Sequence, residues 1–235
     1  MSVLCSSEEV VRQVRQEIGP KSILSFSRGK DSIGAYLAIR DHFEEIVPYH
    51  LYLVPGLSFV DESLDYYERH VFRRKIINLP HPSFFRWLNN YTFLPPGYAQ
   101  VIRSAKLPNF SYLDVFSWVC RIEGLDPEKM LVASGVRAAD SPLRRVAFSK
   151  HGAISYSQRQ YYPVHDWNKA RLLSQIDASG IPLPDDYLLF GRSFDGLDYR
   201  FLKPLKDQRP ADYRRILEFF PLAEAEVHRY ERAAA

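Results

Sequence analysis

The most chemically distinctive segment of this 235-residue chain is a short polar loop at residues 27–32, Ser-Arg-Gly-Lys-Asp-Ser. It follows an apolar run at residues 22–26 that is typical of a buried strand, and it precedes a helical pattern of apolar residues at 31–43. A strand that leads through a tight turn into a helix directs the N-terminus of that helix, with its free N–H groups and positive dipole, at any bound anion. This order of elements indicates a phosphate-binding site.

The residue types of this loop suit phosphate binding. Gly29 lets the backbone approach an anion closely, and Lys30 supplies a mobile positive charge. Ser27 and Ser32 can donate hydroxyl hydrogen bonds. Asp31 repels phosphate, so we expect it to cap the helix, to contact a magnesium ion, or both. The spacing is not that of the Walker loop, and an ordinary capped helix after a polar turn is the alternative.

The elements that must position this loop alternate between strand-like and helical patterns. Strands are predicted at residues 22–26, 46–54, 75–79 and 130–134, with a fifth within 154–164. Helices are predicted at residues 7–18, 31–43, 61–72, 83–89, 109–123, 168–179 and 210–232, the last with a break at Pro221. Irregular structure is expected at residues 90–110, 135–145 and 181–209.

This alternation predicts an α/β fold, namely a doubly wound, mainly parallel five-stranded sheet with helices on both faces, plus C-terminal helices. We expect one α/β domain over residues 1–206 and a helical segment over 207–235 that packs on it. Ligands of such sheets bind beyond the carboxyl ends of the strands. The loops at 27–32, 55–62, 80–82 and 135–145 are therefore the expected functional loops.

Several of these loops resemble the motifs of a known superfamily. Residues 26–32 resemble the PP-loop, Ser-x-Gly-x-Asp-Ser, of the adenine nucleotide α-hydrolase-like superfamily, with Arg28 where glycine is commonest. Residues 135–144, Gly-Val-Arg-Ala-Ala-Asp-Ser-Pro-Leu-Arg, resemble the Gly-x-Arg-x-x-Glu-Ser-x-x-Arg segment of the phosphoadenylylsulfate (PAPS) reductase and ATP sulfurylase small-subunit family. Weaker matches occur around Gly56 and at residues 163–167, where Trp167 is also a plausible core aromatic residue. The resemblance spans roughly residues 20–180 and implies the adenine nucleotide α-hydrolase-like fold.

The resemblance also implies the residues of a nucleotide site. Arg137 and Arg144 are expected to bind the phosphate or sulfate end of a ligand, because guanidinium stays charged and binds oxyanions in a bidentate manner. The implied catalytic residues are Lys30, Asp31, Arg137 and Arg144, and Asp31 is the implied metal ligand. The implied nucleotide-binding residues are Ser25, Phe26, Ser27, Arg28, Gly29, Lys30, Ser32, Gly56, Gly135, Arg137 and Ser141.

The cysteines decide between branches of this family. A PAPS reductase needs a nucleophilic cysteine near its C-terminus, whereas the cysteines here are Cys5 and Cys120, and Cys120 lies in an apolar helical segment that indicates a buried thiol. The sequence Gly-Lys-Asp-Ser is also closer to the branch that uses ATP. The resemblance therefore implies an enzyme that binds ATP and magnesium, cleaves ATP between the α- and β-phosphates, and transfers the adenylyl group to an unidentified, small anionic acceptor.

Three other interpretations stay open. In the first, the chain is a reductase-like, sulfonucleotide-binding protein that uses an external thiol. In the second, it is a nucleotide sensor or an accessory subunit that needs a partner. In the third, it modifies nucleic acids. The third interpretation uses a set of basic residues, Arg73, Arg74, Lys75, Arg144, Arg145 and Lys150, although solvated surface charge is the ordinary explanation for them. The apolar C-terminal helices would pack on the domain or on a second subunit.

Composition and cysteine spacing exclude several other classes of protein. Hydrophobic residues make up 46% and charged residues 25% of the chain, which is typical of a folded globular protein, and the net charge of +3 is too small to indicate nucleic-acid binding by itself. The absence of a Cys-x-x-Cys pair excludes a zinc ribbon and a dithiol redox motif. No apolar run is long enough to span a membrane, and the N-terminal residues do not resemble a signal peptide, so we expect a cytoplasmic protein with reduced thiols.

Overall fold

The computed structural model describes residues 5–234, in which six β-strands alternate with α-helices. The strands are β1 Lys21–Ser25, β2 Glu45–Tyr52, β3 Ile77–Pro80, β4 Val132–Ala133, β5 Ile154–Ser155 and β6 Gln160–Tyr161. The helices are α1 Ser7–Ile18, α2 Lys30–Ile39, α3 Ser58–Tyr67, α4 Pro82–Asn89, α5 Ala99–Ala105, α6 Tyr112–Ile122, α7 Pro142–His151, α8 Lys169–Ser179, α9 Asp186–Phe190, α10 Tyr199–Gln208, α11 Pro210–Phe219 and α12 Glu224–Ala234. A π-helical turn, Glu68–Phe72, and four 3₁₀ turns, Pro96–Tyr98, Pro127–Lys129, Ala138–Asp140 and Pro221–Ala223, complete the regular structure.

The strands form one sheet with the order β3-β2-β1-β4-β6-β5. Strand β1 pairs in parallel with both β2 and β4, so that Ile23 lies opposite Val47 on one side and Val132 on the other. Strand β4 pairs in parallel with β6, whereas β5 and β6 pair in an antiparallel manner. The predicted mainly parallel, doubly wound α/β fold is therefore confirmed.

The strand order places a topological switch point between β1 and β4, because the chain continues from β1 to β2 on one side and returns to β4 on the other. Ligands of doubly wound sheets bind at such a point, beyond the carboxyl ends of the two strands. The loops that follow β1 and β4 are the two whose motifs carry most of the family resemblance. The topology thus brings the two strongest motifs to the same part of the sheet.

The predicted number of five strands is wrong. Residues 154–164 contain two short strands, because the chain reverses between Ser155 and Gln160 and pairs Ile154 with Tyr161. A two-residue strand has too few side chains to show a period, so the sequence pattern did not separate the two.

Two compact units make up the chain. The first comprises residues 1–50, 68–77 and 112–183, and its core includes Val14, Ile23, Leu24, Val119 and Leu172. The second comprises residues 51–67, 78–111 and 184–235, and its core includes Phe59, Phe84, Phe201, Ile216 and Phe220. The C-terminal helices belong to this second unit, in which Phe220 contacts Phe84 and Trp87. The expected domain boundary at residue 206 stays a prediction.

Local sequence explains where the elements near the candidate site begin and pack. Helix α1 starts after Ser6, whose hydroxyl accepts from the N–H of Glu9 while the Glu9 carboxylate accepts from the N–H of Ser6, as in a capping box. Helices α2 and α8 meet at Gly34, where an added Cβ would lie 2.3 Å from Leu172 Cδ1. Glycine at this position allows α8 to hold α2, and with it the loop at 27–32, against the sheet.

Three predicted irregular regions contain helices instead. Helix α5 lies within residues 90–110, and α9 and α10 lie within 181–209. These helices are short or contain a proline, as α10 does at Pro204, so their apolar periodicity is weak. The expected loop at 135–145 ends at Ser141, which caps α7. The predicted break at Pro221 is confirmed, since α11 ends at Phe219 and α12 begins at Glu224.

No helix within residues 5–234 is both long enough and apolar enough to cross a membrane.

Candidate functional site

The loop after β1 is closed by its own serines. Gly29 is the N-cap residue of α2, and its carbonyl accepts hydrogen bonds from the N–H groups of Ser32 and Ile33, both at 3.0 Å. The Ser32 hydroxyl donates to the same carbonyl at 2.8 Å, and the Ser27 hydroxyl donates to Ser32 Oγ at 3.2 Å. The loop is thus a tight turn, as a phosphate-binding loop requires.

The structure overturns one expected role of Asp31. Helix α2 begins at Lys30, and no side chain caps its N-terminus, so Asp31 is a helical residue and not the cap. Its carboxylate instead lies 2.8 Å from Lys30 Nζ. The N-terminal end of α2 therefore carries no side-chain cap of its own, which leaves its dipole available for an external anion.

Arg28 occupies the position where the PP-loop usually has glycine, and it takes the backbone conformation of glycine. Its φ is +66°, in the left-handed region, and only 2% of the residue is exposed. For an L-residue this conformation costs about 1–2 kcal/mol. The packing around Arg28 holds the loop in this strained shape, and strain of this kind concentrates at functional sites.

Ser25 and Phe26 connect the loop to the sheet and the core. The Phe26 N–H donates to the Tyr49 carbonyl at 2.8 Å, and its ring packs edge-on against Phe72 with centroids 4.9 Å apart. The hydroxyl of Ser25 hydrogen-bonds with the Tyr49 side chain, while burial raises the pKa of Tyr49 to about 12. Both residues thus position the loop, and any contact they make with a nucleotide stays a prediction.

The loop after β4 lies directly against the start of α2. A Cβ added to Gly135 would lie 2.3 Å from the backbone oxygen of Asp31 and 2.9 Å from the nitrogen of Ser32. No side chain fits at such distances, so glycine is required for the approach of the two backbones. The two strongest sequence motifs consequently form one site within the first unit.

Arg137 is the central side chain of this site. Only 5% of the side chain is exposed, and its guanidinium lies between two carboxylates, with Nε 2.9 Å from Asp31 Oδ1 and Nη2 2.7 Å from Asp140 Oδ1. The Asp140 carboxylate also accepts from the backbone N–H of Arg137 at 3.1 Å. The ion pair with Asp31 lacks the direction of a hydrogen bond, since neither Nε nor Asp31 Oδ1 has a hydrogen-bond partner.

One N–H donor of the Arg137 guanidinium indicates that the site binds a ligand. Its Nη1 is buried and donates to no group of the protein within residues 5–234. Buried polar groups are almost always hydrogen-bonded, and a buried charged donor without a partner is costly. An oxyanion beside Arg137 would supply the acceptor for this donor.

Arg144 and Ser141 complete the segment. The Ser141 hydroxyl caps α7 by accepting from the N–H of Arg144 at 3.2 Å, and Arg144 Nη1 pairs with Asp140 Oδ2 at 2.7 Å. About half of the Arg144 side chain, 48%, is exposed. Arg144 is thus anchored by Asp140 and still accessible, whereas Ser141 is occupied by the helix cap.

The charged groups of the site alternate in sign. They form a continuous series of ion pairs from the loop after β1 to α7, namely Lys30, Asp31, Arg137, Asp140 and Arg144. Three cations and two carboxylates leave one net positive charge next to the uncapped start of α2. Such a site can bind a phosphate chain and stabilise the charge that develops on a leaving phosphate group.

These residues fit a phosphate group, because a tight loop, a helix N-terminus and a buried guanidinium donor lie close together. The same residues offer fewer ligands for a magnesium ion. No group of three or more His, Cys, Asp or Glu side chains within residues 5–234 is arranged to hold a metal ion. Magnesium bound to nucleotides uses one or two carboxylates and the phosphate oxygens, and Asp31, with 34% of its side chain exposed, suits that role.

Gly56 belongs to the second unit. There it has a φ of +74°, and an added Cβ would lie 3.3 Å from Arg215 Nε. The start of α3 beside it is already capped, since the Ser58 N–H and hydroxyl donate to the Asp212 carboxylate at 2.6 and 2.7 Å. Gly56 therefore serves a turn that helix α11 holds, and a binding role for it stays a prediction.

The cysteines agree with the sequence interpretation. Both are free thiols, Cys5 exposed and Cys120 fully buried in α6. Burial raises the pKa of Cys120 to about 11, so it is almost entirely protonated at neutral pH. A protonated, inaccessible thiol is not a nucleophile.

Sequence reasoning missed two residues that build the site. Asp140 was recognised only as a motif position, yet it holds both arginines. The His165 carbonyl accepts from the N–H of Ala138 at 2.8 Å and so fixes the turn between Arg137 and Asp140. The alternation of acid and base at 137, 140 and 144 is the signal that could have identified Asp140, whereas nothing local indicates His165. Trp167, 5% exposed, lies beside Gly34 in the core, as one of its two interpretations predicted.

Comparison with known proteins finds similarity in structure alone. No family model matches the sequence, and no curated protein matches it. A U34-tRNA thiolase from Methanococcus maripaludis, solved with its 4Fe-4S cluster, has 15% identity and a TM-score of 0.45, covering 92% of this chain and 78% of its own. A PAPS reductase from Candida auris in complex with phosphate has 14% identity and a TM-score of 0.46, covering 82% of this chain and 88% of its own.

An NH3-dependent NAD synthetase from Campylobacter jejuni in complex with nitrate has 11% identity and a TM-score of 0.45, covering 95% of this chain and 92% of its own. At these identities and TM-scores the likeness carries no argument about function, so the chemistry of this chain has to be inferred from its own residues.

Proposed function

We propose that this chain is a PP-loop enzyme that binds ATP at the loop after β1 and cleaves it between the α- and β-phosphates. The adenylyl group passes to an acceptor oxygen, and pyrophosphate leaves. The observation that carries the proposal is the buried guanidinium of Arg137, whose Nη1 has no acceptor among the described residues and which lies against the start of α2.

The arrangement of the charged side chains supports binding of the phosphate chain across the switch point. The backbone of the loop, with Ser27, Ser32 and Lys30, would hold the β- and γ-phosphates. Arg137 would donate Nη1 to a phosphate oxygen without leaving its two carboxylates. Because Arg137 is already fixed by ion pairs, little reorganisation is needed when charge develops on the phosphates.

The transfer step needs no covalent intermediate on the protein. An oxygen of the acceptor attacks the α-phosphorus, a bond forms between them, and the bond from the α-phosphorus to the bridging oxygen of the β-phosphate breaks. The electron pair leaves with pyrophosphate. The protein's contribution is to align the two oxygens with the phosphorus and to neutralise the leaving group, through Lys30 and the N-terminus of α2.

Magnesium would be held by Asp31 together with phosphate oxygens, and it would neutralise negative charge on the phosphates when bound. The pairing of Asp31 with Lys30 and Arg137 keeps that carboxylate close to the loop. One carboxylate suffices for this role, because magnesium bound to a nucleotide uses one or two carboxylates together with phosphate oxygens.

A reductase reaction has less support. It requires an accessible, ionisable thiol, whereas Cys120 is buried and Cys5 lies before α1, at the opposite end of the sequence from the segment that carries the reductase cysteine. The chain has no further cysteine.

Pyrophosphate release from ATP and magnesium tests the proposal. The assay compares sulfate, small carboxylates, nucleosides and nucleic acid as acceptors, for the unmodified protein, Lys30→Ala and Lys129→Ala. Lys129 is a matched control because it also pairs with a nearby aspartate, Asp126 at 3.6 Å, but lies outside the site. We expect release that depends on one acceptor class and that falls about 10²–10³-fold in Lys30→Ala alone, the loss typical of removing one charge-stabilising group.

Three results would count against the proposal. Equal loss of folding and activity in Lys30→Ala would remove the catalytic role of Lys30. Tight binding of ATP without pyrophosphate release for any acceptor would favour a nucleotide sensor or a subunit that needs a partner. Preferential binding of a sulfonucleotide would favour the reductase-like alternative.

A further inference from the structure

A cleft in the first unit adjoins the candidate site and shares Arg144 with it. It has a volume of about 640 Å³ and lies between α7 and the β5–β6 hairpin. This volume is in the range of pockets that hold small organic ligands. Its walls include Arg144, Ala147, Phe148, Tyr156 and Tyr162.

The lining is aromatic, with charge at one end. The Phe148 and Tyr162 rings meet edge-on with centroids 5.2 Å apart, and Phe148 is buried while Tyr156 is 54% exposed. Arg144 and His151 are the basic lining residues, and among residues 5–234 no acidic side chain lines the cleft. Flat rings favour the face or edge of another ring, and guanidinium favours a carboxylate or another oxyanion.

Arg144 connects the cleft to the phosphate site. Its Nη1 pairs with Asp140, which in turn pairs with Arg137, so two ion pairs link the cleft to the buried guanidinium. The other N–H groups of the Arg144 guanidinium make no hydrogen bond within residues 5–234, and Arg144 lines the cleft. A ligand whose ring lies between Phe148 and Tyr156 would present an anionic group to Arg144, at the end nearest the nucleotide.

We propose that this cleft is the acceptor site and that the acceptor is a small aromatic carboxylate. The inference rests on the proposed function for its chemistry, whereas the binding of an aromatic anion in the cleft stands by itself. One carboxylate oxygen attacks the α-phosphorus of ATP, the bond to the bridging oxygen breaks, and an acyl-adenylate and pyrophosphate result. No proton, oxidant or reductant is required.

Binding is tested by isothermal titration with 2-naphthoate, with neutral 2-naphthalenemethanol and with acetate, in the absence of nucleotide. The variants are Ala147→Phe, which fills the cleft, and Arg144→Gln, which removes the charge. Val146→Phe is the matched control, because Val146 is the preceding residue of α7, is 52% exposed and does not line the cleft. Binding of ATP is measured separately for each variant.

We expect 2-naphthoate to bind at least about tenfold more tightly than either comparison ligand. Affinity should fall about tenfold or more in Ala147→Phe and in Arg144→Gln, and change less than about twofold in Val146→Phe, while Ala147→Phe still binds ATP. These factors correspond to about 1.4 kcal/mol per tenfold change. In a second measurement, benzoate, 4-hydroxybenzoate or 2-naphthoate should stimulate pyrophosphate release more than acetate does, and Ala147→Phe should abolish the difference.

Three outcomes would overturn the inference: no binding of 2-naphthoate, equal binding in Ala147→Phe, or binding that never stimulates pyrophosphate release although another acceptor does. If no acceptor of any class gives release, the proposed function fails. Specific binding of 2-naphthoate that Ala147→Phe removes would then still support the cleft as an aromatic anion site, so the two failures are distinguishable.

Discussion

Gly135 lies so close to Asp31 that a Cβ on it would be 2.3 Å from the backbone oxygen of Asp31. The glycine after β4 and the acidic residue after β1 are separated by more than a hundred positions in sequence, yet their backbones are in direct contact. This contact brings Arg137, two residues after the glycine, to the start of α2. The geometry of the candidate site therefore depends on the absence of a side chain at position 135.

Gly135→Ala should separate the two loops. Because the clash is with backbone atoms, which cannot rotate away, we expect a loss of about 1–3 kcal/mol in the free energy of unfolding, the range of overpacked sites, together with at least about tenfold weaker ATP binding. Urea denaturation and calorimetric titration measure the two effects. Gly97→Ala is the control, since no atom lies within 4 Å of the added Cβ. Unchanged stability and ATP affinity in Gly135→Ala would contradict the required close approach.

Arg137→Met should leave Asp31 and Asp140 without their shared cation. Breaking a largely buried ion pair from one side typically costs about 3–5 kcal/mol. Because both carboxylates are partly exposed, we expect a loss of about 3 kcal/mol in the free energy of unfolding. The triple variant that also carries Asp31→Asn and Asp140→Asn should regain part of that stability, because no unpaired charge remains, without regaining ATP binding. Urea midpoints and ATP titrations test both statements. A triple variant that binds ATP normally would show that Arg137 has only a structural role.

The sequence was most informative where chemistry and backbone geometry coincide. The strand, the loop at 27–32 and the following helix could be predicted because an apolar run, a glycine turn and a helical period occur in succession. The position of Gly135 at the end of β4 followed in the same way. The proximity of Gly135 and Asp31 was expected only in the general sense that both loops lie at the carboxyl edge of the sheet.

The parts that escaped prediction depend on tertiary contacts. Asp140 holds Arg137 because a 3₁₀ turn brings positions 137 and 140 together, and this turn is fixed by the carbonyl of His165, which is remote in sequence. The hairpin of β5 and β6 consists of strands too short to show a period. The residues around Gly56 resemble a family motif, but the turn at Gly56 is stabilised by Arg215 and Asp212 from a helix far along the chain.

Cys120 should resist alkylation in the folded protein. Its pKa is raised to about 11 mainly by burial, so at pH 8 the thiolate needed for attack on iodoacetamide is scarce and inaccessible. We expect mass spectrometry to find modification at Cys5 and not at Cys120 until the protein is unfolded in urea. The same shift implies that stability falls as pH rises from about 9 to about 11, because the unfolded thiol ionises before the folded one. Rapid labelling of Cys120 in the native state would show that α6 opens readily.

His81 should make the protein less stable at mildly acidic pH. Its pKa is lowered to about 4 by burial and by Arg86, and its ring nitrogen accepts from the Ser83 N–H at 2.9 Å to cap α4. As pH falls below 6.5 the unfolded state binds a proton that the folded state does not bind until about pH 4, so this contribution to stability is lost over that interval. We expect a loss of about 1 kcal/mol between pH 6.5 and 5, after allowance for solvent around a partly exposed ring.

The variant His81→Asn checks this assignment. Asparagine is an effective N-cap residue and does not titrate, so α4 should remain capped while the loss of stability between pH 6.5 and 5 shrinks. Urea denaturation at the two pH values, for both proteins, gives the comparison. An identical pH dependence in His81→Asn would assign the effect to other groups.

The identity of the phosphate products tests the central claim most directly. The purified protein is incubated with ATP, magnesium and the acceptor panel, and phosphorus-31 NMR distinguishes pyrophosphate and adenylyl products from ADP and inorganic phosphate. We predict pyrophosphate together with an adenylylated acceptor or AMP, formed by the unmodified protein and Lys129→Ala and reduced about 10²–10³-fold in a folded Lys30→Ala. The appearance of ADP and inorganic phosphate, dependent on Lys30, would contradict cleavage between the α- and β-phosphates.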